Sequence, residues 1–420
     1  MPDETGPNDA TAFRRVALMV LLPVAILVQL TFWPQHGLNA GVLERFDPGL
    51  LARSEAFWHS RYLWLAAALA VQFGLLALLS WPPMARALAR LVDAPGRGPA
   101  STAARLALGC LAATQGTAMG FAFVYGHLLD RTYGLTRQTT LRWSWEQLLQ
   151  RGFFALLLVA TVAAMVALGR RFGPRWWLPT ALGLAAVTVA LVTLQPVLFD
   201  PFFYQLQPLA ERPGAEPLLQ LARQGGFPPK RIWIADASRH SDRANAFING
   251  LGRTERIVLF DTLLDRARAD ETALVLAHEI GHGTSRHVRI GTALAVLGLT
   301  AALALMAALF PQPGPRDVPA ILLTVFLLNL ASLPTQNAIS RSMESTADLL
   351  SLGLTHKPDA FIRAEEHLAT QNLACLRPPP LAVWLFFTHP PVTDRIGMAL
   401  DFRSRGDEPA IEPAPHTGPR

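Results

Sequence analysis

The stretch from Trp176 to Phe199, WWLPTALGLAAVTVALVTLQPVLF, contains no charged residue and no histidine. It exceeds the roughly 18–20 residues that a helix needs to cross the hydrocarbon of a bilayer. Working outward from it, the intervals between charged residues or histidines supply six more windows of similar length, at 16–35, 62–85, 106–126, 152–169, 290–315 and 318–340. A charge at the bilayer centre costs about 2.5–3.5 kcal/mol on insertion scales. A soluble chain has no reason to avoid charge seven times over. The composition agrees, with 51% hydrophobic residues against 16% charged ones, too little charge for an ordinary soluble protein of this size. Seven transmembrane helices in a mainly α, multi-pass membrane protein are the simplest expectation. The first window follows Arg14-Arg15, but it is long, lacks a small-x-small cleavage site and precedes further spans, so it reads as a retained helix and not as a signal peptide.

The net charge of +6 rests almost wholly on Arg, because Lys occurs only at Lys230 and Lys357. No basic stripe interleaved with aromatics accompanies it, so no nucleic-acid partner is expected. Cys110 and Cys375 have the spacing of neither a zinc knuckle nor a disulfide framework. The expected division is transmembrane helices over 1–199, a catalytic α+β domain over 200–289, two further spans over 290–340, a second catalytic part over 341–403 and a disordered tail over 404–420. Strand patterns occur in the polar stretch at Arg231–Ile234 and Arg256–Phe260, with Gly250 and Gly252 as turn residues between them. Segments 92–100 and 311–319, rich in Pro and Gly, read as loops between spans. Arg377-Pro378-Pro379-Pro380 interrupts the helices after 341, and the tail is Pro- and charge-rich enough to remain disordered. No internal repeat is visible.

The chemistry centres on His278-Glu279-Ile280-Gly281-His282. Asp270 and Glu271 precede an apolar run, so a helix capped near Asp270 carries this motif about two turns in. On that helix two histidines four apart project from one face and can hold one metal ion together. Glu279 lies about 100° around the helix, where its carboxylate can reach a water without ligating the metal. Zinc lowers the pKa of such a water towards about 7, so that a carboxylate can take its proton and pass it to a leaving amine, which makes the reaction class peptide hydrolysis. The motif alone arises by chance in about one or two per cent of chains of this composition, so context must decide. A catalytic zinc wants a third protein ligand. Glu344, in Arg341-Ser342-Met343-Glu344-Ser345-Thr346-Ala347-Asp348, is the candidate. Two spans separate it from His278, an even number, which returns it to the same membrane face. Asp348, one turn on, can accept a hydrogen bond from a ligand histidine and orient it; the alternative is a solvated carboxylate.

These two segments, with Asn245-Ala246-Phe247, Thr388-His389-Pro390-Pro391 and Asp394-Arg395-Ile396, resemble the type 1 CAAX prenyl endopeptidase family. Tyr133-Gly134-Leu135-Thr136 with Trp143, Gln195-Pro196 with Pro201, and Leu251-Gly252 leading to Ile257–Thr262 are further similar stretches, so the resemblance covers most of the chain. It implies a ring of seven helices around a water-filled chamber and one zinc ion per chain. It also implies that His278, His282 and Glu344 bind the zinc, that Glu279 is the base, and that Asn245 and His389 contact substrate or the developing oxyanion. Read from the residues, Asn245 lies in an extended segment where an edge strand can pair with a peptide backbone, or is an ordinary turn residue. His389 follows an apolar run and precedes two prolines that hold it in a rigid extended form, where it can donate to an oxyanion, or it is a packed or capping histidine. Arg395 is a partner for Glu344 or Asp348, or a surface residue. His287 and His240 are assigned no function, and His127 with Asp130 reads as interfacial.

The expected protein is thus a monomeric zinc metalloendopeptidase embedded in the bilayer, acting on peptide or protein substrates associated with the membrane. The Arg-rich, Lys-poor composition points to a GC-rich bacterium and its inner (cell) membrane, where prenylated substrates are not expected. By the positive-inside rule Arg86, Arg90, Arg97, Arg105, Arg170, Arg171 and Arg175, with Arg14-Arg15, pull their face inward and put the zinc site outside the cytoplasm. Arg131, Arg137, Arg142 and Arg151 on the opposite face make that bias slight, and the family implies the cytoplasmic side, which is the reading taken. Two rival readings are a site-2-type intramembrane protease, with its motif inside a span, and an inactive zinc-binding transporter or lipid-binding protein, which would not need Glu279.

Overall fold

The computed structural model describes residues 40–406 apart from 94, 95, 97 and 240–244. The expected first span at 16–35 and the tail from 407 onward lie outside the described residues. Six helical stretches among the described residues are long and apolar enough to cross a membrane: Pro48–Ser80, Pro99–Thr132, Thr140–Arg175, Trp177–Leu198, His287–Leu309 and Pro315–Thr355. Each corresponds to one of the remaining six charge-free windows. The helices are mostly longer than the windows, since charged residues in their end turns lie beyond the hydrocarbon and meet water there. Windows 176–199 and 290–315 slightly exceed their helices, and window 62–85 runs on past the end of its own. Its helix α1, Pro48–Ser80, stops short and α2, Pro82–Val92, begins with two prolines, which suit a first turn but cannot continue a helix.

The chain folds as two compact units. The first takes residues 52–187 and 295–335, with α3 at Pro99–Phe123, α4 at Thr140–Phe172 and most of α5 at Trp177–Leu194. Its core is formed by Ala103, Leu106, Ala107 and Cys110 of α3 with Val162, Met165 and Val166 of α4. Small side chains on α3 allow close helix approach, the usual basis of packing where lipid removes the hydrophobic drive. Trp176 is fully buried and its Nε1–H donates to the carbonyl of Phe310 at 2.9 Å. Outward-facing apolar residues are abundant, as at Leu156 and Leu182, 64% and 74% exposed. Such a surface is an aggregation liability in water and normal against acyl chains.

The second unit takes residues 40–51, 188–294 and 336–406 of the described chain. It contains a four-stranded sheet in the order β1-β2-β4-β3, with β1 at Leu206–Pro208, β2 at Ile232–Ala235, β3 at Ala246–Asn249 and β4 at Arg256–Phe260. The central pair β2 and β4 is parallel, with Ile232 opposite Ile257, and both outer strands pair antiparallel. One face packs Ile232, Ile257 and Leu259 against Leu276 and Ile280 of a helix α7, Ala269–Thr284, and against Leu219 and Ala222 of α6, Glu216–Gln224. The other face buries Val258 and Phe260 with Ala235 and Ala237. Burial on both faces explains why β4 reads as an unbroken apolar run and was legible. β1 is three residues ending in Pro, and β3 alternates weakly, so neither carries a strand pattern of its own.

Helix α8, His287–Leu309, follows α7 after a bend at Arg286, whose φ is 57°. The helix α9, Val318–Thr355, is continuous through the last charge-free window and carries Glu344 and Asp348 near its end. Beyond it, α10 at Pro358–Asn372, α11 at Pro380–Phe386 and α12 at Val392–Ser404 complete the unit. The Pro-rich segment lies between α10 and α11 over residues 377–379, and Pro380 opens α11, a position where proline suits a first turn.

Candidate metal centre

Helix α7 starts at Ala269, where the Glu271 carboxylate reaches back to the Arg268 N–H at 3.3 Å, satisfying one of the amides that an N-terminus leaves unpaired. Two glycines then set how closely its neighbours approach. A Cβ on Gly281 would lie 3.0 Å from the Cα of Ala347 on α9, and one on Gly283 would meet the Phe227 ring at 2.7 Å and Ile248 of β3 at 3.0 Å. The gap at Gly283 is closer than real Cβ atoms come, and the one at Gly281 would make the α9 backbone give by a few tenths of an ångström, so the two glycines let α7 lie close against α9 on one side and β3 on the other.

That approach brings three side chains together. His278 Nε2 and His282 Nε2 are 3.0 Å apart, and Glu344 Oε2 is 3.3 Å from the first and 3.6 Å from the second. Among the described residues this trio forms the one group of histidine, cysteine or carboxylate donors close enough to share a metal ion, all three atoms lying within 4.8 Å of one another. Donors bound at about 2.0–2.2 Å in a tetrahedron are separated by about 3.3–3.6 Å, so the set fits a zinc-sized cation with small adjustments. The chemistry of the set agrees. Glu344 Oε2 is buried and makes no aligned hydrogen bond, an arrangement that costs about 1–3 kcal/mol or more unless a cation satisfies it.

The rings are held from behind. His278 Nδ1 lies 2.9 Å from Asp348 Oδ1, and Asp348 is wholly buried. In the tautomer that donates Nδ1–H to this carboxylate, Nε2 turns its lone pair towards Glu344 and His282. Asp348 in turn takes two hydrogen bonds from Arg395, Nη2 to Oδ1 at 2.6 Å and Nε to Oδ2 at 2.7 Å, while Arg395 Nη1 donates to Glu365 at 2.8 Å. Of the alternatives left open for Arg395, Asp348 is the partner found. Burial works against the charge of Arg395, but Glu365 and Asp348 outweigh it and hold the guanidinium protonated more firmly than usual. Burial likewise opposes a proton on His278, yet the neighbouring carboxylates of Asp348 and Glu344 push its pKa up to about 10. The location favours positive charge.

His282 Nδ1 lies 2.8 Å from His287 Nδ1. Sequence reasoning missed this contact because a helical wheel does not bring residues five apart together; the left-handed turn at Arg286 does. Glu365 was missed as well. An acidic residue on the buried face of an amphipathic helix was the available signal.

Glu279 is buried beside the two histidines, and its carboxylate takes a hydrogen bond from the backbone of Ile248 on β3. Burial pushes that carboxyl above its usual range, against the pull of His278 and His282. His389 reaches the group from the other side, with Nε2 3.4 Å from Glu344 Oε2 and Nδ1 3.0 Å from Thr388 Oγ1. Its segment is pinned to α9. Arg341 Nη1 donates to the carbonyls of Val383 and Phe387 at 2.8 Å each, and Asn337 Nδ2 to that of Trp384 at 3.0 Å. Asn245 stands at the exposed start of β3, its carbonyl accepting from Phe260 N–H at 3.0 Å, on the free edge of the sheet; it is not among the side chains gathered around Glu344. His127 is fully buried and stacked at 30° against both Phe123 and Trp143, and Asp130 pairs with Arg61 at 2.9 Å.

Comparison with known proteins places this geometry. A family profile described as peptidase family M48 matches residues 212–402, and one described as CAAX prenyl protease N-terminal, five membrane helices, matches residues 59–205. A Bacillus subtilis protein named uncharacterized metalloprotease YhfN is 28% identical over 285 residues, 64% of this chain and 67% of that one. The CAAX prenyl protease 1 homolog of Arabidopsis thaliana is 26% identical over 308 residues, 69% of this chain and 71% of its own. The crystal structure of S. mikatae Ste24p superposes with a TM-score of 0.70 at 21% identity, covering 93% of this chain and 97% of the other, which establishes a shared fold. The two profiles between them take in nearly all of the described chain, and together with a His-His-Glu donor set beside a buried glutamate they identify it as a multi-pass membrane metalloendopeptidase belonging to peptidase family M48.

Proposed function

We propose that His278, His282 and Glu344 hold one zinc ion per chain and that Glu279 is the general base of peptide-bond hydrolysis. The observation that carries this reading is the buried, unpaired Glu344 Oε2 facing two imidazole nitrogens, with a carboxylate that is not part of the donor set immediately beside them. A zinc ion held there would polarise a scissile carbonyl and acidify a water. Glu279, anchored by the Ile248 backbone, accepts the proton of that water and delivers it to the leaving amine. His389 is exposed on the opposite side, where its imidazole donates to the oxygen on which negative charge develops. Asn245 and the free edge of β3 align an extended substrate by adding it to the sheet as a further strand. Asp348 and Arg395 keep His278 in the orientation that ligation requires.

The substrates are peptides or proteins associated with the membrane; the names of the relatives point to CAAX-type or other lipidated ones, whereas a bacterial setting favours unprenylated ones. The protein acts in a bacterial cell membrane as a monomer. The test is Glu279→Gln in the purified, detergent-solubilised protein. Zinc content should stay at one per chain while cleavage of a peptide library falls by about 10²–10⁴-fold. Cleavage that survives the substitution sinks the mechanism, and zinc that is lost with it reassigns Glu279 as a ligand. Paired prenylated and unprenylated versions of one peptide decide the specificity.

A further inference from the structure

The apolar first unit contains one arginine whose setting the chemistry at Glu344 does not use. Arg151 immediately precedes the charge-free window 152–169 of α4. Packing nevertheless sets it beside α3, where its Nη1 donates to Gln115 Oε1 at 3.2 Å, inside the charge-free window 106–126, while its Nε donates to Gln147 Oε1 at 3.2 Å. Both partners are neutral. Among the described residues no carboxylate pairs with Arg151; the nearby Glu146 is engaged by Arg142 at 3.0 Å and Gln138 at 2.7 Å. An arginine at the edge of the hydrocarbon whose partners are both neutral keeps an uncompensated charge that an anion at the interface can meet.

The arginine lines a cavity of about 360 Å³ between α3 and α4. The lining is graded. Gln115, Gln147, Gln150 and Arg151 form one end, and Leu111, Phe154, Ala155 and Leu158 the other. From Gln147 to Leu158 the helix rises about 16 Å. Its polar end continues into the charged turn of Arg142 and Glu146, so it faces the water side of the bilayer. Around the cavity the surface is apolar, with Leu149, Phe154 and Leu156 exposed by 54%, 60% and 64%. A cationic polar end, an apolar far end and lipid-facing walls match an amphipathic anion in size, charge and direction.

We propose that Arg151, Gln115, Gln147 and Gln150 bind the phosphate headgroup of an anionic phospholipid, whose acyl chain runs along Leu111, Phe154 and Leu158. Arg presents several donors in a planar fork suited to phosphate, and the two amides hold that fork in place while leaving Nη2 for the ligand. The site is independent of the zinc reading.

The full-length protein in mild detergent would be examined by native mass spectrometry with phosphatidylglycerol or phosphatidylcholine of matched chains. The wild type should keep phosphatidylglycerol in preference to phosphatidylcholine, Arg151→Gln should lose about tenfold of that binding, as for removal of one charge-assisted hydrogen bond, and Arg151→Lys, which keeps the charge without the planar fork, should fall between the wild type and Arg151→Gln. Equal retention by wild type and Arg151→Gln, or equal binding of the two lipids, overturns the proposal, as does competition by millimolar inorganic phosphate without any lipid preference. If Arg151→Gln does not fold, a diazirine-bearing phosphatidylglycerol should label the wild type within residues 147–158 or 111–115; labelling confined to other segments sinks the idea.

Discussion

At the scale of single residues, Asp348 joins two different jobs. It is the acceptor behind His278 and the counter-charge of Arg395, so its carboxylate fixes a ring and neutralises a guanidinium in a space closed to water. Asp348→Asn keeps one oxygen for His278 Nδ1–H but removes the charge. Zinc affinity, measured by competition with a chromophoric chelator, should fall about 10–100-fold, and the protein should also lose stability, because breaking a buried pair costs about 3–5 kcal/mol. An unchanged affinity would show that the ring is oriented without Asp348. His287 illustrates what one-dimensional reading misses. It carries no motif signature, and its contact with His282 exists only because the backbone turns left-handed one residue earlier. That His278, His282 and Glu344 lie together, by contrast, was legible: the histidines from their four-residue spacing, Glu344 as the acidic candidate that an even number of intervening spans returns to their face.

At the scale of elements, the site depends on how tightly α7 can approach α9. Gly281 sits against the Ala347 backbone, three residues beyond Glu344 on the same helix. Gly281→Val has to push the two helices apart or rotate one of them. We expect a loss of about 1–3 kcal/mol in stability, the usual cost of overpacking, together with weaker zinc binding, both read from chelator competition and thermal melts of the same preparation. A variant with full stability and full affinity would show that the helices separate without disturbing the donors. β3 is the second element that matters. Its free edge was anticipated from the extended segment around Asn245, but the hydrogen bond from Ile248 to Glu279 was not, because no local pattern announces which backbone amide a distant carboxylate will reach.

At the scale of the whole molecule, a donor trio contributed by two separate helices ties metal binding to folding. A ligand bound by the native state alone stabilises it by about 4 kcal/mol when present at a thousand times its dissociation constant. Removing metal with a strong chelator should therefore lower the melting temperature and abolish peptide cleavage, and added zinc should restore both. A melting curve indifferent to the chelator would mean that the trio is held by the protein framework without metal. Glu344→Gln should melt near the chelated wild type and respond little to added zinc; a full response would remove Glu344 from the donor set.

The sequence by itself determined the membrane class, the number of apolar spans within the described chain, the two central strands and the metal-binding motif. These rest on local facts: runs without charge, period and spacing, each of which acts within one helix or strand. Only the tertiary structure decided that Arg395 pairs with Asp348 and Glu365, that His287 backs His282, that Ile248 holds Glu279, and that Arg151 faces Gln115 across a cavity. The physical reason is the same in each case. Those contacts join residues whose meeting depends on a bend, a glycine-limited approach or the register of two helices, and none of these is encoded in the residues that finally touch.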